Sequence, residues 1–106
     1  MHIFIIMIYH ITEATTWQAQ LQSSDFVVSS LTEEGFIHCS TAAQVGGVLQ
    51  RYYSDQKNLV MLHMDESKLT AELKFEASTQ GEYFPHLYGP INKEAILRVE
   101  QLPDQR

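Results

Sequence analysis

Apolar residues crowd the start of the chain, Ile3-Phe4-Ile5-Ile6-Met7-Ile8, and then alternate with polar ones through Tyr9-His10-Ile11-Thr12. A β-branched run that passes into alternation predicts a strand over about Ile3 to Ile11. It lacks the basic start and small-residue cleavage site of a secretory leader, and it is far shorter than the roughly 20 residues that span a bilayer. The first six residues read as an extension of the strand. Ala14, Trp17 and Leu21 then share a helical face, with Thr12 or Thr15 able to cap it. Ser23-Ser24-Asp25 ends that helix and Phe26-Val27-Val28 is a short apolar segment. Thr32-Glu33-Glu34-Gly35 reads as a loop closed by a glycine free to take positive φ.

Phe36 to Cys39 predicts a short strand. Thr41 with Gln44 is a capping-box pattern, and Val45, Val48, Leu49 and Tyr52 recur at helical spacing. Gly46 and Gly47 inside that helix each cost about 1 kcal/mol relative to alanine, which predicts close approach by a strand or ligand. Leu59 to Met64 is a dense strand-length run, Leu73-Lys74-Phe75-Glu76 alternates, and Ala95 to Glu100 supplies a last strand. Between these, Gly81 to Pro90 reads as a loop stiffened by Pro85 and Pro90. The pattern predicts one compact α+β domain over residues 1–106, with about two helices and five to seven short strands.

At 106 residues, 44% hydrophobic and 19% charged, the chain can bury a core of its own and is neither disordered nor fibrous. A formal charge of -6, with Lys and Arg scattered, argues against nonspecific nucleic-acid binding. Cys39 is the only cysteine, so an intramolecular disulfide is excluded and a reducing cytoplasm is the expected home. No membrane association is expected.

Candidate chemistry sits in a repeated string. His10-Ile11-Thr12 and His38-Cys39-Ser40 each set a histidine and a hydroxyl two residues apart, on the same side of an extended strand. Each precedes an expected helix, where backbone N–H groups face an incoming anion. The plainer alternative makes Thr12 and Ser40 helix caps. A third string, Gly81-Glu82-Tyr83-Phe84-Pro85-His86-Leu87-Tyr88, combines a carboxylate, a histidine and aromatic faces, either to hold a planar ligand or to plug the core. His10, His38 and His86 lack zinc-site spacing, so no metal is expected. Cys39 is expected to be a buried inert thiol and His63 a satisfied core histidine, while His2 lies in a terminus free to fray.

Tyr9-His10-Ile11-Thr12, Trp17, Gly35 to Ser40, Arg51-Tyr52-Tyr53, Glu76 and Phe84 to Pro90 together resemble a bacterial family catalogued as domain of unknown function 952, in order through nearly the whole chain. That family is similar in fold to ADP-ribosyltransferase-like proteins, which implies a split, mainly antiparallel β core with flanking helices. The resemblance extends to the H-G-T and H-x-S strings of RNA 2'-phosphotransferases, with Ile11 in place of the glycine. It implies NAD or a related nucleotide as ligand, with His10 orienting a ribose or the nicotinamide end and with Tyr9, Thr12, Ser40 and Tyr88 as binding contacts. Catalytic roles would fall to His10, His38, Glu82 and His86, the third motif position being open among Glu82, Glu76 and His86. The expectation is therefore a nucleotide-binding domain able to cleave or transfer ADP-ribose. The rivals are a noncatalytic nucleotide or metabolite sensor and an interaction module that uses the aromatic loop.

Overall fold

The computed structural model describes residues 4–104, so Ile3 and His2 lie outside the described residues. Strands β1 (Met7–Glu13), β4 (Leu59–Asp65) and β8 (Ile96–Gln101) form one sheet in the order β1-β4-β8. A second sheet sets β6 (Tyr83–Tyr88) between β3 (Ile37–His38) and β5 (Glu72–Ala77), and β2 (Asp25–Phe26) pairs with β7 (Ile91–Asn92). All these pairings are antiparallel. Helices α1 (Ala14–Gln18), α2 (Ser29–Glu34) and α3 (Ala42–Tyr52) fill the crossings from β1 to β4. The α+β class is as the pattern predicts, with three α-helices among the described residues where about two were expected. No helix there is long and apolar enough to cross a membrane.

Strand β1 divides the core. Alternation sends Ile8 into a cluster with Phe26, Ile37, Leu62 and Leu87, while Ile11, with Tyr9 packed against it, faces a second cluster with Leu59, Met61 and Leu102. The strand opens at Met7, opposite Asp65, and not near Ile3: Ile5 and Ile6 precede the first register pair and are exposed. Val45, Val48 and Leu49 of α3 cover the second cluster. The capping box forms as expected, Thr41 N donating to Gln44 Oε1 at 3.0 Å.

Several expectations are corrected. Thr12 lies within β1 and Glu13 takes the N-cap position of α1, without a side-chain cap bond. Leu21 falls beyond that helix and is exposed. The expected loop at residues 32–35 is mostly α2, whose segment Ser-Ser-Leu-Thr-Glu-Glu offers only Leu31 for packing and so carries no helical periodicity. Gly35 does end it, at φ 90. A Cβ at Gly46 would meet nothing within 4 Å and one at Gly47 only the Arg51 side chain, so neither glycine admits a strand. Within the expected Gly81–Pro90 loop, residues 83–88 are the central strand β6 despite Pro85, whose carbonyl accepts from Cys39 N at 3.0 Å.

Candidate functional site

The two three-stranded sheets meet through Tyr9 and Ser40, which exchange both backbone hydrogen bonds at 2.8 Å. Beyond this bridge β1 is a sheet edge, and a cleft of about 700 Å³ opens along it. Ile11, Thr12 and Glu13 form one wall, Val48, Tyr52 and Tyr53 of α3 and its end another. The start of α2, with Ser29 and Ser30, and the Phe36, His38, Phe84 and His86 cluster complete it.

His10 is 6% exposed, its ring 6.2 Å from that of Phe26. Its Nδ1 lies 2.6 Å from the carbonyl oxygen of His38. A carbonyl only accepts, so the tautomer assigned from this bond has the proton on Nδ1 and a lone pair on Nε2. That Nε2 is buried and has no hydrogen-bond partner. Burial pushes the imidazole down to about 4, aided by the His38 charge and opposed by the carbonyl bond, so His10 is neutral at neutral pH.

His38 faces His86 in the β3–β6 register, their rings 5.6 Å apart. Its exposed side chain turns Nε2 to Glu34 Oε2 at 3.0 Å, across the end of α2. His86 is buried, stacked on Phe36 at 4.0 Å between centroids and 17° between planes. Its Nδ1 is 2.9 Å from Glu76 Oε1, which also accepts from the Tyr88 hydroxyl at 2.5 Å. A carboxylate only accepts, so Nδ1 of His86 carries a proton, and among the described residues its Nε2 has no hydrogen-bond partner. The Tyr88 and His86 bonds hold the Glu76 carboxyl below its usual range, and the Glu76 bond holds the Tyr88 phenol above its own.

The cleft brings His10, Thr12, His38, Ser40 and His86 together. Tyr9 is not among its lining residues: its ring turns to the opposite face of β1, edge-on to His63 at 5.0 Å, and only its backbone serves the site. Tyr88 reaches the site through Glu76. Glu82 lies apart, 3.7 Å from Arg51 and 3.2 Å from the Gln44 amide, and the carboxylate that meets His86 is Glu76. Ser40 bridges the sheets while Thr41 takes the cap. Cys39 is buried, its thiol pushed up to about 12 by burial, as expected of an inert sulfur. His63, expected to be satisfied within the core, is half-buried and paired with Glu100 at 2.8 Å. Phe36 lies two residues before His38 in the Gly35 to Ser40 string and Tyr53 in the Arg51-Tyr52-Tyr53 string, whereas Ser29 and Ser30 carried no such signal.

Replacing Glu76 by Gln removes the charge beneath Tyr88 while keeping the side chain's size. The Tyr88 phenol is then expected to titrate at lower pH than in the parent protein, read from its own NMR ring signals during an alkaline titration. An unchanged Tyr88 titration would mean that the contact does not persist in solution.

A family model described as a protein of unknown function (DUF952) matches residues 11–99. Among solved structures, the X-ray crystal structure of protein CC0527 from Caulobacter crescentus is similar, with a TM-score of 0.82 and 33% identity over 92% of this chain and 86% of that one. The solution NMR structure of CC0527 gives a TM-score of 0.78 at 33% identity, over 91% and 84% of the two chains. No curated protein matches.

Proposed function

We propose that this chain, which belongs to the family of proteins of unknown function DUF952, is an ADP-ribosyltransferase-like domain that binds NAD or a related nucleotide in the cleft beside β1. The observation that carries the reading is His10: a neutral imidazole, nine-tenths buried, with a lone pair at Nε2 and no protein group to satisfy it. An unsatisfied buried acceptor costs about 1–3 kcal/mol, and a hydroxyl or amide N–H of a ligand would remove that cost. The hydroxyls of Thr12 and Ser40 and the Phe36–His86 stack supply adjustable hydrogen bonds and a planar apolar face within one cleft. Its volume of about 700 Å³ is within the range of small-molecule sites. The His10–Thr12 and His38–Ser40 strings lie on either side of the Tyr9–Ser40 bridge where the two sheets meet, which supports this reading.

Titrating the full chain with NAD and ADP-ribose while following thermal unfolding tests this reading. Ligand at 100 times its dissociation constant adds about 2.7 kcal/mol, which for a chain of this size raises the midpoint by about 10 °C or more. The shift is expected to vanish in His10→Asn. If millimolar NAD and ADP-ribose leave the parent protein's midpoint unmoved, the reading fails. Whether the bound nucleotide turns over is a separate matter, and the engagement of Glu82 by Arg51 and Gln44 favours binding without cleavage. Nicotinamide released from NAD, and lost in His38→Ala and His86→Ala, would instead mark an enzyme.

A further inference from the structure

We propose that the cleft recognises its ligand as a nucleoside, through the ribose and the planar base, and that phosphate groups add nothing to affinity. This rests on the nucleotide-binding reading and narrows it to the part of the ligand that is held. His10 has Nδ1 engaged by the His38 carbonyl and so keeps a lone pair at Nε2, buried and without a hydrogen-bond partner. That acceptor calls for a donor. Ribose hydroxyls and base amide or amine groups donate, whereas the oxygens of an ionised phosphate only accept and would set lone pair against lone pair.

Charge points the same way. Among the described residues, the cleft lining contains neither Lys nor Arg, and its one carboxylate is that of Glu13. The cation at the far end of α3, Arg51, is turned to Glu82. The chain as a whole carries -6. A phosphate in this cleft would therefore meet a carboxylate with no Lys or Arg to offset it. Apart from its histidines, two of them already turned to Glu34 and Glu76, the cleft offers backbone N–H groups at the start of α2, a six-residue helix that supplies only partial charge. A planar base has better-matched partners, since Phe36, Phe84 and Tyr53 line the same cleft.

Isothermal titration of the full chain with two matched pairs, nicotinamide riboside against its mononucleotide and adenosine against AMP, tests the proposal. Each is measured at about 0.05 M and about 0.3 M sodium chloride, a span over which screening of a phosphate contact would be plain. The expected result is binding by at least one nucleoside, with its phosphorylated partner no more than about threefold tighter and each dissociation constant moving less than about twofold with salt. A mononucleotide more than about threefold tighter than its nucleoside, and weakened by salt, overturns the proposal and leaves the nucleotide-binding reading standing. Failure of all four compounds, and of NAD, overturns both.

Discussion

Acidification from about pH 6.5 to about pH 4 is expected to cost this fold about 3 kcal/mol through His10 alone. The imidazole titrates near 6.5 in the unfolded chain and is pushed down to about 4 by burial in the native state. Between those values the unfolded chain binds a proton that the native protein refuses, so stability rises with pH. The contribution is fully present above about pH 6.5 and is lost as pH falls through about 4. Taken from a total of roughly 5–15 kcal/mol, it is a large fraction. Urea unfolding at a series of pH values measures it, with His10→Asn as the comparison, because an amide of similar reach has no proton to gain in this range. The expected outcome is a stability-against-pH curve that is steep for the parent protein and shallower for the variant in that window. Glu76 contributes with the same sign, since its carboxyl is held low, but its loss falls below the usual carboxylate range. Parallel curves for parent and variant would show that His10 protonates without penalty and that Nε2 is open to water. The same titration bears on binding: a protonated Nε2 is a donor, and the acceptor that the proposed ligand needs is gone.

What the sequence made legible, and what it hid, follow from the range of each interaction. Alternation around His10 and His38 located both histidines on strands, because a period of two is a local property, while Thr12 and Ser40 were read at the strand ends, and of these Thr12 lies inside β1 and Ser40 just beyond β3. The capping box at Thr41 and the positive φ of Gly35 are equally local and were legible for that reason. The partner of each histidine was not. His10 is held by the backbone of His38, and His86 by Glu76 across the β5–β6 ladder, bonds that exist only once strands are in register. Glu82 shares a string with His86 and stood beside Glu76 as a candidate carboxylate, a choice that the sequence left open. In the hairpin Glu76 is opposite Phe84, and its side chain falls on the face that His86 shares with Tyr88. Pro85 misdirected the reading of β6, since a proline forbids a donor at one position and leaves the carbonyl, which Cys39 uses.

Phe26 ties the core to the site, and its removal is expected to be the most damaging single substitution in the cleft's neighbourhood. It is fully buried in the two-residue strand β2, opposite Ile91, with its ring 5.3 Å from Trp17 and 6.2 Å from His10. A ladder this short contributes few backbone hydrogen bonds, so the side chain anchors the segment between α1 and α2. Phe26→Ala is expected to cost about 3–5 kcal/mol, whereas Phe26→Leu, which keeps most of the volume, should cost less than about 1.5 kcal/mol. The urea midpoints of the two variants measure this difference. The void left by alanine would lie beside the His10 imidazole. Water or relaxed packing there would weaken the desolvation that keeps His10 neutral, so the acid dependence should flatten in Phe26→Ala and persist in Phe26→Leu. Loss of stability without a change in the acid slope would mean that Phe26 supports the core but not the histidine. Loss of both together would make the aromatic ring the wall that keeps the Nε2 lone pair dry, and so available to a ligand.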